Sequence, residues 1–261
     1  MSNKNIVLTG SAGRLGTQFA YFLTKAGANV ILLDIDQTKN KKLEQSLKKH
    51  YKTYPKSYQV DISNEKELKK CVSQIIKDYK IIHGLINNAF YSPLQNTKKS
   101  ALPLEKFPTE LWNEMLNVNL TGIFLCCKEI GKIMVRQKNG VIVNISSIYG
   151  MVGADQRIYG KSKLNSSISY AVTKGGIVNM THYLAAYWQK KNIRVNTLTL
   201  GGVLDTTYMK RYFIKNYEEK TMLGRMANKE EYGPALLFLI SDASSYMTGA
   251  NLVIDGGWTA W

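Results

Sequence analysis

Short apolar runs alternate with longer amphipathic stretches along nearly the whole chain. The apolar runs predict strands at residues 5–9, 30–33, 58–60, 81–86, 141–145, 193–198 and 251–254. The amphipathic stretches predict helices near residues 15–26, 39–49, 65–78, 111–136, 169–189 and 229–239. Because strands alternate with helices, the pattern indicates an α/β fold: a doubly wound parallel sheet of about seven strands with helices on both faces.

Nothing along the chain divides it into two halves. It contains no repeat, no low-complexity segment and no stretch with the composition of a linker. A chain of 261 residues can bury a substantial core as one unit. We therefore predict a single domain that covers residues 1–261.

The composition is that of an ordinary globular protein, with 44% apolar and 21% charged residues. No apolar run approaches the roughly 20 residues of a membrane helix, and the first residues lead directly into a strand rather than a signal peptide. Cys71, Cys126 and Cys127 lack the spacing of metal ligands, which predicts reduced thiols. We therefore expect a cytoplasmic protein without a membrane segment or a metal site.

The formal net charge is +16, a value that raises the question of nucleic-acid binding. The lysines and arginines are scattered in small groups over the predicted helices, whereas a nucleic-acid interface concentrates them on one face. We therefore expect a basic, solvated surface and no nucleic-acid partner. An excess of positive charge would help to attract an anionic small-molecule substrate.

A glycine-rich turn joins the first predicted strand to the first predicted helix. It contains Gly10, Gly13 and Gly16, and Arg14 and Leu15 lie between the last two glycines. Glycines permit a tight turn and let backbone N–H groups and the helix N-terminus approach a pyrophosphate. A strand, such a turn and a helix in succession predict the dinucleotide-binding loop of a Rossmann fold.

The residue that ends the second strand bears on the choice of cofactor. Asp34 lies 24 residues after Gly10, where a carboxylate accepts hydrogen bonds from the ribose hydroxyls of NAD. The same carboxylate would repel the 2′-phosphate of NADP. Arg14 is a cation that could partner this phosphate, so the sequence favours NAD and leaves NADP as the alternative.

Two tyrosine–lysine pairs have the spacing Y-x-x-x-K, namely Tyr159 with Lys163 and Tyr170 with Lys174. This spacing places a phenol and an ammonium one turn apart on the same face of a helix. The ammonium favours the ionised phenol and so lowers its pKa, which suits a tyrosine that exchanges protons near neutral pH. The two residues of one pair are therefore candidates for general acid–base chemistry.

Further motifs follow the predicted elements in order. The motif N-N-A at residues 87–89 follows the fourth strand, and the motif N-V-N in the long helix ends at Asn119. A pair of serines ends at Ser147, after the fifth strand, and residues 201–203 follow the sixth strand. Together with the glycine-rich turn and the tyrosine–lysine pairs, these motifs resemble those of the short-chain dehydrogenase/reductase family. The resemblance runs through nearly the whole chain.

The resemblance implies an NAD(P)-dependent oxidoreductase that transfers a hydride between nicotinamide and a carbonyl or secondary alcohol. It implies that the tyrosine exchanges the proton and that the lysine holds the nicotinamide ribose. Ser147 would bind the substrate oxygen, and Asn119 would support the lysine and a proton-relay water. The cofactor contacts it implies are Gly10, Gly13, Arg14, Leu15, Gly16, Asp34, Asp61, Ile62, Asn88, Ala89, Gly201 and Val203.

The family spacing gives conflicting answers about the tyrosine. Tyr159 lies 12 residues after Ser147, which is close to the usual family distance, whereas Tyr170 lies 23 residues after it. Lys174, however, lies 21 residues before Val195, as the family requires, and its helix continues without interruption. We therefore predict that Tyr170 and Lys174 are the catalytic pair. Residues 149–169 then form an extended active-site loop.

Departures from the family pattern indicate the substrate pocket. Phe90 replaces the glycine that usually follows N-N-A, and the aromatic and basic residues from 208 to 217 lie within a predicted substrate lid at residues 203–227. The candidate substrate contacts are Phe90, Tyr159, Arg157, Lys163 and Arg211. The apolar tail from Trp258 to Trp261 predicts burial against another subunit, in a homodimer or homotetramer.

Two features suggest sugar chemistry. The glycine pattern T-G-x-x-G-x-x-G is typical of nucleotide-sugar enzymes, and the C-terminal segment resembles a subgroup from flagellin-modification and surface-sugar (nonulosonate) pathways. We therefore expect a sugar, sugar-phosphate or nucleotide-sugar substrate in bacterial surface-glycan or flagellin-glycan biosynthesis. The alternatives are a reductase of an unrelated ketone or ketoacyl substrate, and a cofactor-binding redox sensor without turnover.

Overall fold

The computed structural model describes residues 1–92, 102–162, 164–207 and 209–261. The strands within these residues are β1 (Asn5–Thr9), β2 (Asn29–Asp34), β3 (Lys56–Gln59), β4 (Gly84–Asn87), β5 (Gly140–Ser147), β6 (Ile193–Leu200) and β7 (Asn251–Ile254). They form one parallel sheet in the order β3-β2-β1-β4-β5-β6-β7. This sheet confirms the predicted fold class.

The helices alternate with these strands. They are α1 (Arg14–Lys25), α2 (Gln37–His50), α3 (Glu65–Tyr79), α4 (Thr109–Leu116), α5 (Ile123–Gln137), α6 (Ile168–Tyr187), α7 (Arg211–Glu218) and α8 (Gly233–Ile240). A π-helical segment, Asn117–Gly122, joins α4 to α5. The sequence predicted one continuous helix here, and it did not predict α7.

Both faces of the sheet are covered by helices. Side chains alternate across a strand, so Ile6 and Leu8 of β1 pack in one buried cluster with Phe19 of α1. Val7 lies in the opposite cluster, together with Ile130 of α5. Near-continuous apolar strands are the rule for parallel sheets buried on both faces. With both faces closed, the carboxyl edge of the sheet is the place where side chains are free to bind a ligand.

The strand order reverses between β1 and β4. From β1 the chain builds outward through β2 and β3, and from β4 it builds the other way through β5, β6 and β7. The loops that follow β1 and β4 therefore diverge and leave a crevice at their carboxyl ends, which is where ligands bind in open α/β sheets. The predicted cofactor loop follows β1 and so lies at this crevice.

A third apolar cluster lies beyond the carboxyl ends of β5 and β6. Its buried members come from the loop after β5, from α7 and the stretch that follows it, and from the C-terminal tail. They are Ile148, Tyr149, Ile158, Tyr217, Met226 and Trp258. The aromatic rings in this cluster touch one another edge to face or at a tilt. The cluster forms a roof over this end of the sheet.

The segment after β5 and the helix α7 are joined to each other. The side chain of Asn216 donates a hydrogen bond to the Ile158 carbonyl at 3.2 Å, and the ring centres of Tyr159 and Phe213 are 5.3 Å apart. A salt bridge of 3.0 Å links Lys220 to Asp155. The two segments therefore form one cover, which we define as residues 150–162 together with residues 209–220.

No helix within the described ranges is long and apolar enough to cross a membrane. Cys71, Cys126 and Cys127 are free thiols. Burial raises the pKa of the Cys127 thiol to about 12, with a partial offset from a hydrogen bond donated by Asn87. This thiol therefore stays protonated and packs as a small apolar side chain.

Candidate active site

The glycine-rich turn after β1 is packed too tightly to hold side chains. A Cβ atom on Gly16 would lie 2.0 Å from the Gly10 carbonyl oxygen, and one on Gly10 would lie 2.6 Å from the Ala89 Cα. Gly10 also has a φ of +63°, in the left-handed region that favours glycine. Gly13 is the N-cap of α1, and no side chain caps the helix there. The bare backbone and the open helix start fit a pyrophosphate.

The end of β4 supports this turn. The Thr9 hydroxyl accepts hydrogen bonds from the backbone N–H groups of Asn88 and Ala89, both at 3.1 Å. The Asn88 side chain donates in return to the carbonyls of Thr9 at 3.1 Å and Gly10 at 3.0 Å. The predicted cofactor residues Asn88 and Ala89 thus hold the turn in its shape.

Charged groups flank the turn on both sides. The Asp34 carboxylate accepts hydrogen bonds from the backbone of Ala12 at 2.8 Å and Asp36 at 2.9 Å, so it is fixed beside the turn at the end of β2. Arg14 forms an ion pair with Asp205, which follows β6. The guanidinium is therefore already engaged by a carboxylate, and Asp34 is the charge that a bound nucleotide would meet at the end of β2.

The other predicted cofactor residues also lie at this edge. Asp61 and Ile62 follow β3, and Ile62 is buried. Gly201 and Val203 follow β6, and Val203 is buried as well. Leu15 lies in the first turn of α1 and packs against the apolar cluster on that face of the sheet.

Helix α6 carries Tyr170 and Lys174 one turn apart. Ser167 is its N-cap residue, and the Ser167 hydroxyl accepts a hydrogen bond from the backbone of Tyr170 at 3.3 Å. Tyr170 therefore lies in the first helical turn, where the helix enters the site. The Ser147 hydroxyl, at the end of β5, lies close enough to the Tyr170 phenol to lower its pKa.

Lys174 is fixed at both its ammonium and its backbone. Its Nζ atom donates to the Ile145 carbonyl at 3.0 Å, and its own carbonyl accepts from the Ser146 hydroxyl at 2.9 Å. A Cβ atom on Gly150 would lie 2.6 Å from the Lys174 backbone, so only glycine permits this approach. These contacts attach α6 to the end of β5.

Burial governs the protonation of the pair. It lowers the pKa of Lys174 to about 8, because an ammonium is disfavoured away from water. It also raises the pKa of Tyr170, against a smaller opposing effect of the Ser147 hydrogen bond. The Tyr170 phenol is therefore protonated at neutral pH in the free protein. A further positive charge beside it would be needed to bring its pKa down.

Asn119 lies in the π-helical segment and is almost fully buried. Its side-chain oxygen accepts a hydrogen bond from the backbone of Tyr91 at 2.7 Å, and its amide donates to the Tyr91 carbonyl at 2.9 Å. The side chain therefore holds the loop after β4, next to Phe90. Its support of Lys174 stays a prediction. Single π-helical turns are frequent at functional sites.

Two aromatic rings flank Tyr170. The Phe90 ring lies 5.3 Å from it at 71°, and the Tyr149 ring lies 6.3 Å from it at 87°. The Phe90 ring centre is also 4.9 Å from the Lys174 Nζ, a distance at which the face of a ring attracts a cation. Phe90 thus lies directly against both members of the pair.

The other tyrosine belongs to the cover. Tyr159 packs against Phe213 of α7, and burial raises its pKa to about 12, with a further rise from the nearby Tyr170. Its sequence partner Lys163 lies outside the described residues. Tyr159 lies in an irregular stretch of 3₁₀ turns that Gly160 interrupts with a φ of 52°, so no regular helix carries it.

The predicted cations at the substrate pocket differ in their surroundings. The Arg157 guanidinium is 82% exposed and donates to the Asp155 carboxylate at 2.8 Å. Arg211 begins α7 and is exposed. Arg157 is thus tied to a neighbouring carboxylate on the loop, whereas Arg211 is open to solvent at the start of the cover.

Three aromatic residues enclose the pair from above, namely Tyr149, Tyr217 and Trp258. The sequence analysis placed Tyr149 in the active-site loop and Tyr217 in the lid, but it named neither as a site residue. It predicted that Trp258 is buried against another subunit. Instead, Trp258 is buried within this chain, against Tyr149 and Tyr217.

The chain is similar to known proteins over nearly its whole length. The family model described as Enoyl-(Acyl carrier protein) reductase matches residues 10–259. Post-translational flagellin modification protein A of Campylobacter coli is 31% identical over 258 residues, with 99% of each chain covered. NAD-dependent glycerol dehydrogenase of Listeria innocua is 32% identical over 262 residues, covering 99% of this chain and 95% of that protein.

Among solved structures, a short-chain dehydrogenase from Leptospira borgpetersenii with bound NAD⁺ superposes with a TM-score of 0.84. The two sequences are 35% identical, and the match covers 99% of this chain and 94% of that one. The likeness thus extends over the complete sheet, the cofactor turn and the cover.

The buried Lys174 should make stability depend on pH. A folded-state pKa near 8, below the usual 10.5, means that the native state carries a costly ammonium below about pH 8, and that this cost fades as pH rises toward 10.5. Lys174→Met removes this pH-dependent cost. We expect the melting temperature of the variant, relative to the wild type, to be highest near pH 7 and to fall between pH 8 and pH 10.

The matched control is Lys70→Met, at an exposed position of α3. The difference in melting temperature between Lys70→Met and the wild type should not vary over the same pH range. A difference in melting temperature between Lys174→Met and the wild type that stays constant from pH 7 to pH 10 would contradict the lowered pKa of the buried ammonium.

Proposed function

Because the chain belongs to the short-chain dehydrogenase/reductase family of NAD(P)-dependent oxidoreductases that act on CH–OH groups, we propose that it interconverts a secondary alcohol and a carbonyl of a sugar or similar polyhydroxylated molecule. The observation that carries this proposal is the convergence of Ser147, Tyr170 and Lys174 at the carboxyl edge of the sheet. The glycine turn that fits a pyrophosphate lies at the same edge.

The proposed roles follow from the contacts. A bound nicotinamide supplies the hydride or accepts it, and its oxidised form brings the positive charge that lowers the pKa of Tyr170. In the oxidation direction the Tyr170 phenolate takes the hydroxyl proton of the substrate, and in reduction the phenol returns it to the carbonyl oxygen. The Ser147 hydroxyl donates a hydrogen bond to that oxygen as charge develops. Lys174 holds the nicotinamide ribose.

We propose NAD rather than NADP as the cofactor. Asp34 ends β2 with a carboxylate anchored beside the glycine turn, and a 2′-phosphate there would face like charge. Arg14, the cation that could offset this repulsion, is paired with Asp205. The relatives include an NAD-dependent glycerol dehydrogenase and an NAD⁺-bound dehydrogenase, which supports the same choice.

For the substrate we propose a sugar derivative used in surface-glycan or flagellin-glycan biosynthesis. The support is the likeness to a flagellin modification protein over the full length, together with a relative that acts on glycerol. Exposed cations at the start of α7, Lys210 and Arg211, favour a derivative that carries a negative charge. Arg157, Tyr159 and Phe90 remain proposed substrate contacts.

A second candidate is the reduction of a ketoacyl substrate. The matching family model is described as an acyl-carrier-protein reductase, and a 3-oxoacyl reductase of Thermotoga maritima is 32% identical. Parallel assays with sugars and with acyl thioesters separate the two substrates. A redox sensor without turnover would show cofactor binding and no activity on either set.

The protein is further proposed to act in the cytoplasm as a homodimer or homotetramer. The exposed tail residue Trp261 and the stacked, exposed Tyr183 and Tyr187 on α6 are apolar surface that a second copy would cover. Mass measurement in solution checks this assembly.

Cofactor choice can be tested by thermal unfolding with equal concentrations of NADH and NADPH. A ligand at one hundred times its Kd stabilises the folded state by about 2.7 kcal/mol, so we expect a clear rise in melting temperature with NADH and a small one with NADPH. Asp34→Asn should reduce the gap between the rise in melting temperature with NADH and the rise with NADPH, because it removes the charge that repels the 2′-phosphate.

Asp36→Asn is the matched control, since Asp36 is the neighbouring carboxylate and caps α2. It should leave the preference for NADH unchanged. A larger rise with NADPH than with NADH in the wild type would contradict the proposed role of Asp34.

The proton-transfer role is tested by Tyr170→Phe and Tyr159→Phe, with turnover followed as NADH consumption on the best substrate of a panel of sugars and hydroxyketones. Loss of a general acid–base group costs about 10²–10⁴-fold in rate. We expect this loss for Tyr170→Phe with NADH binding retained, and most of the activity to remain in Tyr159→Phe. The opposite pattern would place the chemistry on Tyr159.

A further inference from the structure

Tyr149 has a buried hydroxyl without a hydrogen-bond partner among the described residues. The residue is 8% exposed, and the hydroxyl oxygen itself is inaccessible. A buried polar group that makes no hydrogen bond destabilises a fold, so native structures contain few of them. Such a group needs an explanation, and a ligand that binds there would provide one.

The hydroxyl lies at the candidate active site. Tyr149 follows Ser147 by two residues, and its backbone N–H donates to the Ser147 hydroxyl at 3.4 Å. Its ring packs edge to face against Tyr170 on one side, and against Trp258 at 6.5 Å on another. Tyr149 is thus a direct neighbour of the two groups that are proposed to bind the reacting oxygen.

Other tyrosine hydroxyls in the same region are satisfied. The Tyr217 hydroxyl accepts a hydrogen bond from the backbone of Gly202, and the Tyr232 hydroxyl donates to the Gly201 carbonyl at 3.1 Å. Tyr149 could not form either bond without displacing these partners. Among the described residues its hydroxyl is therefore unpartnered, within the aromatic cluster that packs against Tyr170.

The groups around the Tyr149 hydroxyl favour its neutral, donating form. Burial raises its pKa well above the usual range, and the neighbouring Tyr159, Tyr217 and Tyr170 raise it further. A neutral phenol can donate one hydrogen bond and accept others. It suits an uncharged oxygen of a substrate, such as a hydroxyl group.

The cover explains how a buried hydroxyl can meet a ligand. The cover encloses the aromatic cluster to which Tyr149 belongs, and polar contacts hold its two parts together, among them the Lys220–Asp155 salt bridge. The Tyr159–Phe213 ring contact also joins the two parts, so the ion pair and this contact would both have to break before the cover opens. Opening the cover would uncover Tyr149, whose ring packs edge to face against Tyr170.

We propose that the Tyr149 hydroxyl binds the substrate by hydrogen-bonding an oxygen on the carbon next to the reacting one. The enzyme would thereby prefer vicinal hydroxyketones and diols to simple ketones and alcohols. Two rings whose centres are 6.3 Å apart can reach neighbouring oxygens of one small molecule. This inference rests on the proposed function, because it takes Tyr170 as the group at the reacting oxygen.

The first test is stability. Removing an unpartnered buried hydroxyl leaves the free protein as stable or more stable, so Tyr149→Phe should keep or raise the melting temperature. Tyr217→Phe is the same change in the same cluster, but it removes a hydroxyl that has a hydrogen-bond partner. It should therefore lower the melting temperature. A clear loss of stability in Tyr149→Phe would show that the hydroxyl serves the fold and would overturn the proposal.

The second test compares the reduction of 3-hydroxybutan-2-one and butan-2-one by NADH, two ketones that differ by one neighbouring hydroxyl. The wild type should prefer the hydroxyketone, and Tyr149→Phe should lose about tenfold in kcat/KM on it, the order of one hydrogen bond. Its kcat/KM on butan-2-one, which lacks the neighbouring hydroxyl, should fall much less. Equal losses on both ketones, or none on either, would overturn the proposal.

The outcome also separates this inference from the proposed function. If the wild type reduces neither ketone and no sugar in the panel, the proposed function fails, and the selectivity inferred from it fails as well. If the wild type is active and Tyr149→Phe has the same selectivity, the proposed function stands and only the role of Tyr149 is wrong.

Discussion

The attachment of Lys174 to the end of β5 is the constraint on which the site depends. The lysine ammonium donates to the Ile145 carbonyl, and the lysine carbonyl accepts from Ser146. This double attachment fixes where α6 meets the sheet, and with it the position of Tyr170 beside Ser147. The segment between Ser147 and α6 can therefore vary in length without moving Tyr170 away from Ser147. Burial, which makes the attachment rigid, also lowers the pKa of Lys174, and in the proposed function the positive charge of an oxidised nicotinamide ring would act on the same pair.

The long segment after β5 covers the site. It leaves the sheet at Ser147, forms irregular turns around Gly160 and packs against α7, so that together they roof the pair with aromatic rings. The buried rings of this roof lower the local dielectric beside Tyr170 and so strengthen electrostatic interactions there. On the opposite side Arg14 reaches Asp205 across the glycine turn. The cofactor turn is thereby linked to the same stretch of chain that leads into the cover, so both ligands would be enclosed by neighbouring segments.

The sequence predicted the sheet and the tight glycine-rich turn well, because both follow from local rules. Apolar runs separated by amphipathic stretches specify parallel strands and covering helices, and the glycines at positions 10 and 16 are required by backbone contacts of 2.0–2.6 Å. The distance from Lys174 to Val195 identified the helix that is attached to β5. The π-helical segment at Asn119, the helix α7 and the engagement of Arg14 by Asp205 were not predicted. Each depends on packing between segments that are far apart in the chain, and neither composition nor periodicity indicates such contacts. The unpartnered hydroxyl of Tyr149 was not predicted for the same reason.

In the proposed function, the positive charge of an oxidised nicotinamide, together with Lys174, would lower the pKa of Tyr170, which burial raises in the free protein. NMR of protein with ¹³C-labelled tyrosine, titrated with and without NAD⁺, observes this directly, with Tyr170→Phe to assign the signal. The account predicts that NAD⁺ moves the Tyr170 titration midpoint below the ordinary value of about 10 and leaves Tyr159 protonated throughout that range. A midpoint for Tyr170 that does not respond to NAD⁺, or a shift confined to Tyr159, would contradict it.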